Sequence, residues 1–396
     1  MLAINGGKAY RRKPFPKWPK SDEREATLIN EVLESGNWWR VTGEKVKKFE
    51  KYFSKFQNTE YCLGVTSGTH AIELSLASLG IGKGDEVVLP AFTYISTGSA
   101  VVCSNATPVL VDVDEETFCI SPDAFEAAIT AKTKAVIAVH MAGNACDMER
   151  ICEIANKYGI KVIEDSAHGH GGEYKGRRLG SIGNVGIFSF QNGKLMTCGE
   201  GGAIVTNDNV IYENAYLRHG VGRPLNDSGY NHNVLGSTSR MSEFHAAILL
   251  AQMERVDDMN KLREKNAVYL DRLLSDIDGV IPQKRSKGTT IFTHYMYMFY
   301  FDSSKFNGMT RNEFVEVLRA EGIPANIAFP VVSDTKLFRE QNFDRRIDNY
   351  KCNADLSFAR KIANEVICMP HCVLEGDESD LEDIRGAILK IQKEIY

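Results

Sequence analysis

Between residues 60 and 205 the chain repeats one pattern: a short apolar run, an amphipathic stretch of helical spacing, and another apolar run. The apolar runs are EVVLP (86–90), TPVLVDV (107–113), KAVIAVH (134–140), IKVIED (160–165), VGIFSF (185–190) and GGAIVT (201–206). Between them, THAIELSLASLG (69–80) and MERICEIANKYG (148–159) set apolar residues three and four positions apart, as on one face of a helix. β-rich runs separated by helices of this length read as βαβ units, which give a largely parallel α/β sheet with helices on both faces. In such sheets ligands bind outside the carboxyl ends of the strands. Chemistry is therefore expected where these runs end.

A chain of 396 residues exceeds what one core usually serves, so a second, smaller domain is expected. MSEFHAAILLAQMERVDDMNKLREKNAVYLDRLLSDI (241–277) reads as one long helix or two in series and is the connector. Beyond it come strand-like THYMYMFYFD (293–302), a helix MTRNEFVEVLRAEG (309–322) and a last helical stretch from Leu381. The expected division is a large domain over 1–260, including the N-terminal arm, and a small α+β domain over 261–396. Lys+Arg number 47 against Asp+Glu 52 and no long basic run occurs, which argues against nucleic acid as a partner. No apolar run reaches membrane-spanning length, and none follows the basic residues of MLAINGGKAYRRKPFPKWP. The odd set of 9 scattered cysteines is no disulfide framework, and Cys368 with Cys372 lacks the second pair a zinc site needs. The expectation is a cytoplasmic protein with a small-molecule partner and no metal.

The segment FSFQNGKLMTCGEGG (188–202) sets Lys194 between Ser189 and a run of glycines. A lysine near the end of a sheet strand, partly desolvated, can have a lowered pKa and form a Schiff base with an aldehyde cofactor; in isolation, a solvated loop lysine is by far the commoner reading. TSGTHAIELSL (66–76) offers an anion site: Thr66, Ser67, Gly68 and Thr69 directly precede a helical pattern, although the same residues also make an ordinary helix cap. A pyridoxal-type cofactor further needs a carboxylate against its ring nitrogen. Asp165 ends KVIED, while Glu164 points to the other face if the strand persists. Tyr94 in PAFTYIS (90–96) supplies an aromatic face, and GEGG (199–202) reads as a tight turn.

SFQNGKLMTCGEGG resembles the cofactor-lysine segment SFHxxKxxxxGEGG of the DegT/StrS-type sugar aminotransferases, pyridoxal 5'-phosphate enzymes of fold type I. The likeness runs in order through GGKAYRRKPFPKWP, SGTHA, PAFTYIS, VHMAG, EDSAHGHGGEYKGRRLGSIG and SRMSEF. It implies a mainly parallel seven-stranded sheet, a homodimer with active sites at the interface, and pyridoxal 5'-phosphate as cofactor. Carried over position by position, it makes Lys194 the Schiff-base lysine and Asp165 the partner of the pyridine nitrogen. Tyr94 stacks on the ring, Gly68, Thr69 and Ser189 hold the phosphate, and His168 takes the place of a family glutamine. Two positions depart: Gln191 stands for the histidine of SFHxxK, and GSTSR (236–240) stands for GYNYR, leaving Thr238 or Arg240 to contact the phosphate of the partner subunit.

The resemblance implies transfer of an amino group from L-glutamate or L-glutamine to a keto-sugar or keto-cyclitol, with Lys194 moving the proton. SFQNGKLMT, GNWWR and THYMYMF are most similar to two branches, the 3-amino-5-hydroxybenzoate synthases and the glutamine-dependent keto-inositol aminotransferases. The first offers a second reaction, dehydration with aromatisation; a non-catalytic regulator on the same fold is a third reading. For the acceptor, Trp39 and Arg40 in SGNWWRVTGE (35–44), with Trp38 beside them, are candidates, and Phe329 and His294 are weaker ones. Arg40 suits a carboxylate or phosphate, though such an arginine more often pairs at a subunit interface.

Overall fold

A computed structural model describes the chain except residues 225–229, 345, 348, 353–354 and 395–396. After helices α1 (Glu23–Ser35) and α2 (Lys45–Phe56) comes strand β1 (Tyr61–Val65), then α3 (Gly68–Ser78), β2 (Glu86–Pro90), α4 (Ile95–Cys103), β3 (Thr107–Val111), β4 (Thr133–Val139), β5 (Lys161–Asp165), β6 (Val185–Ser189) and β7 (Gly202–Thr206). The sheet runs β1-β7-β6-β5-β4-β2-β3 and closes with a two-residue strand, Lys351–Cys352. It thus has eight strands rather than seven, because a late segment of the chain returns to pair in parallel with β3. Only β7 runs against its neighbours, pairing antiparallel with both β1 and β6. β1 is missing from the apolar runs read above; YCLGV is short and carries a glycine, so it gives little strand signal.

This topology brings four carboxyl ends to one edge. Val65 and Ser189 end β1 and β6 and both pair with Gly202, the first residue of β7. Asp165 ends β5, and β2 ends just before Tyr94. Gly202 is fixed by packing, since a Cβ there would overlap the backbone of Ser67. The turn before it uses Gly199 at φ +89°.

The connector is two helices, Glu243–Met253 and Val256–Leu274. A second sheet of four antiparallel strands (Val280–Pro282, Met296–Phe301, Val366–Pro370, Asn326–Ile327) packs with Val256–Leu274, Arg311–Ala320 and Glu378–Glu394 around a second core. The strand in THYMYMFYFD begins at Met296, later than its composition suggests, because His294 takes a left-handed φ of +49°. Leu2 joins the second core, and buried Arg11 pairs with Asp380 at 2.7 Å and Asp383 at 2.6 Å, so the N-terminal arm lies on it. A third cluster sets Phe49 and Phe53 of α2 against Phe188, Phe190 and Met196. It anchors both sides of the loop that carries Lys194.

Alternation along β5 sends Asp165 to the cavity described below and Glu164 to the interior. Fully buried Glu164 accepts from the N–H groups of Gly180 (2.8 Å), Ile182 (2.6 Å) and Gly183 (2.6 Å). It also meets His140 Nε2 at 3.0 Å, and because Nδ1 of that ring accepts from Cys146 N–H, Nε2 is the donor. Replacing Glu164 with alanine strands four donors, two of them buried and two half-buried. We expect a loss of about 3–5 kcal/mol, read as a lower urea midpoint.

Candidate active site

At the shared edge lies a cavity of about 420 Å3 lined by Ser67, Gly68, Thr69, Tyr94, Thr97, Asp165, His168, Ser189, Gln191, Lys194, Tyr295 and Phe329, among others. Lys194 sits on a turn whose geometry follows from its sequence. Phe190 and Met196 are fully buried on either side, Lys194 N–H donates to Gln191 O at 2.8 Å, and Gly193 N–H donates to Gln191 Oε1 at 2.8 Å. Gln191 therefore makes the turn itself. From the N-terminal arm, the Trp18 indole N–H donates to Asn192 O at 2.9 Å. Removal of the Lys194 amine from water lowers its pKa to about 8, opposed by the charge of Asp165.

Asp165 is buried, and both carboxyl oxygens are held: Thr97 Oγ1 donates to one at 3.1 Å and Ala167 N–H to the other at 3.2 Å. Burial still dominates and pushes its pKa above the usual carboxylate value, with those hydrogen bonds and Lys194 pulling back. A cationic partner on the cavity side would relieve that cost. His168 is buried with Nδ1 unpartnered and its pKa held well below the ordinary value, chiefly by burial and then by Lys194, so it stays neutral. It stacks on Tyr295 at 4.2 Å between ring centroids and faces Phe329 at 6.3 Å.

The opposite end of the cavity is an anion cradle. Helix α3 begins at Gly68 with Ser67 as N-cap, its hydroxyl accepting from His70 N–H at 3.1 Å. The first N–H groups of a helix have no intrahelical partner, and the dipole there favours negative charge. A Cβ on Gly68 would stand 2.8 Å from Ser189 Cβ, so glycine is what lets helix and serine close on one small group. Small hydroxyls and free N–H groups at one end, an amine and an unpartnered imidazole nitrogen in the middle, and a buried carboxyl beyond suit a flat phosphorylated aldehyde with a basic ring nitrogen.

Gly68, Thr69, Tyr94, Asp165, His168, Ser189, Gln191, Lys194 and Phe329 thus come together on one cavity. Tyr94 is 56% exposed and 5.9 Å from Phe329 between centroids, leaving a face open toward the cavity. Five expected residues lie elsewhere. Arg40 is buried and ion-paired with Glu50, which also accepts from Gly64 N–H at 2.7 Å; its charge ties α2 to β1 and is not available to an acceptor. Trp39 is 47% exposed, with the Arg240 guanidinium 5.7 Å from its ring centroid. Arg240 bridges Val65 and exposed Thr238 bridges Gly220 through their backbones, and neither is among the residues that line the cavity of their own chain. His294 is buried against Phe292 at 3.7 Å, its pKa down to about 3 through burial, and it does not line this cavity. Thr97 and Tyr295 are additions. Thr97 is one turn into α4, and Tyr295 follows a left-handed residue; neither position shows in a strand or helix pattern.

The DegT/DnrJ/EryC1/StrS aminotransferase family model matches residues 19–388. The chain belongs to this family. It is 40% identical over 379 residues to the 3-amino-5-hydroxybenzoate synthase of Amycolatopsis mediterranei (strain S699), covering 94% of this chain and 96% of that protein. It is 35% identical over 414 residues to the L-glutamine:2-deoxy-scyllo-inosose aminotransferase of Streptomyces kanamyceticus, covering 98% and 96%. A crystal structure of 3-amino-5-hydroxybenzoic acid synthase superposes with a TM-score of 0.87 at 38% identity, over 97% of this chain and 100% of that one. The protein is an aminotransferase of the α/β type that these structures share, fold type I.

A neutral amine is the nucleophile, so a lowered pKa makes Lys194 reactive earlier on the pH scale. In the full-length chain freed of cofactor, acetic anhydride should label Lys194 with a midpoint near pH 8. Surface lysines should follow about two units higher, near the unperturbed value. Peptide mass spectrometry across pH reads both.

Proposed function

We propose that this aminotransferase uses pyridoxal 5'-phosphate to move an amino group from L-glutamate or L-glutamine to a ketone on a keto-sugar or keto-cyclitol ring. One observation carries the reading: the Lys194 amine, the Asp165 carboxyl and the Gly68–Ser189 cradle line a single cavity. When bound, the cofactor supplies an aldehyde that links to amines and a ring that delocalises the electrons released on loss of a proton. The rest falls to side chains of this chain. Lys194 would hold the aldehyde, and its free amine, with a pKa lowered to about 8, is suited to take a proton from the donor carbon and return it as general base and acid. Asp165 would keep a proton on the ring nitrogen, whose charge would add to that of Lys194 in offsetting the burial of the carboxyl. Gly68, Thr69 and Ser189 would bind the phosphate, Tyr94 would cover the ring, and neutral His168 would offer its unpartnered nitrogen to the phenolic oxygen.

The same reading makes the protein a cytoplasmic homodimer. Thr238 or Arg240, both away from their own cavity, then reaches the phosphate of the partner, and Trp39 lies near the shared entrance for the acceptor. A second reading shares every residue named and changes the outcome: dehydration and aromatisation of an amino-cyclohexenone acid. The 40% identity to 3-amino-5-hydroxybenzoate synthase favours it.

Borohydride should bleach the yellow protein and leave a phosphopyridoxyl mass increment on Lys194 alone; a protein that takes up no pyridoxal phosphate refutes both readings. Lys194→Ala should lower turnover at least 1,000-fold, on the order expected for loss of a covalent and acid–base group. Adding L-glutamine or L-glutamate should convert the bound aldehyde to the amine form. Product analysis with ketoses, keto-cyclitols and amino-cyclohexenone acids then separates transfer from aromatisation.

A further inference from the structure

We propose that the ring of Tyr295 is the docking face for the free Lys194 ammonium and a determinant of its proton affinity, a role resting on the function proposed above for Lys194. Lys194 Nζ lies over the Tyr295 ring, 4.6 Å from its centroid, within the range where the negative face of an aromatic ring attracts a cation. The ring is fixed there by groups outside its own strand. Tyr295 N–H donates to Ala142 O at 2.8 Å, and Thr293 Oγ1 donates to His168 O at 2.8 Å, pinning the segment to the loop after β5. Two non-glycine residues take left-handed φ to permit this, Ala142 at +58° and His294 at +49°. Such strain persists where the surrounding structure over-determines a position, as it does around active sites. The stack against His168 at 4.2 Å completes the clamp.

The surroundings make the ring face matter. From the other elements, Lys194 shares its cavity with Asp165 at the end of β5, His168 on the loop that follows, Glu200 on the glycine turn and Tyr94 beside α4. His170 lies behind, buried between Phe188 and Phe190. Both histidines are kept neutral by burial, so neither competes as a cation for the π face. Asp165 supplies the opposing charge. With the cofactor bound, this carboxyl would be engaged by the ring nitrogen, leaving the Tyr295 face as the partner of the ammonium whenever Lys194 carries a proton. The phenol oxygen lies near the loop backbone, 3.5 Å from where a Cβ on Gly193 would stand, so the ring face and the hydroxyl are separate groups to be tested.

The test is the pH midpoint of Lys194 acetylation in the full-length, cofactor-free chain, a readout separate from turnover and from borohydride trapping. Tyr295→Phe keeps the ring and should leave the midpoint unchanged. Tyr295→Leu removes it and should lower the midpoint by about half to one and a half pH units, the cation–π contribution expressed as proton affinity. Mono-, di- and trifluorinated phenylalanine at position 295 keep size and packing while draining the negative face, so the midpoint should fall stepwise with fluorination. That series decides the matter even where the leucine variant folds poorly. A midpoint that is the same across the series overturns the proposal, as does a Tyr295→Phe shift equal to that of leucine, which would assign the effect to the hydroxyl. Loss of trapping at Lys194 in the wild-type chain would instead defeat the functional reading while leaving this titration interpretable.

Discussion

An amine and a carboxyl facing each other in a cavity shielded from water set the terms for the whole site. Each is costly to charge when buried, and each lowers that cost for the other: burial draws Lys194 down to about 8 and pushes Asp165 up, while their mutual attraction acts in the opposite sense on both. A lysine poised in this way can lose and regain a proton near neutrality, which a solvated lysine cannot. The rest of the molecule serves to hold those two groups in place and keep water partly out.

The sheet does so by a single reversal. With β7 antiparallel between β1 and β6, the ends of the two flanking strands meet at Gly202, and the phosphate-side residues of both arrive together. The aromatic cluster of α2 with Phe188 and Phe190 then fixes the lysine turn from below. Glycine is required at Gly68 and Gly202 because backbone and Ser189 occupy the space a Cβ would take. On the far side, the segment around Tyr295 and the loop bearing Phe329 close the cavity, and both belong to the later part of the chain. Site residues therefore come from the first sheet and from beyond the connector alike.

How much of this was legible differs by element. The strands β2 to β7 declared themselves as apolar runs, since strands buried on both faces have few residues that can face water. Asp165 and Lys194 were legible because their chemistry is specific and their segments resemble a family pattern. Arg40 misled: a cation beside two tryptophans looks like a recognition group, yet Glu50, ten residues on, claims it in the interior. Tyr295 was invisible because its placement depends on a left-handed His294 and on a bond to Ala142, far away in sequence. The eighth strand was equally hidden, being two residues long and defined wholly by its partner β3.

The sequence by itself determined the class of fold, through the periodicity of its apolar runs, and its family-like motifs pointed to the lysine, its carboxyl counterpart and the cradle, although each of these alone has an ordinary structural use. Only the tertiary structure decided which aromatic ring meets the amine, which arginine is spent inside, and which face of β5 looks into the cavity. Those outcomes depend on contacts between segments far apart along the chain, and no local pattern encodes a distance that packing alone creates.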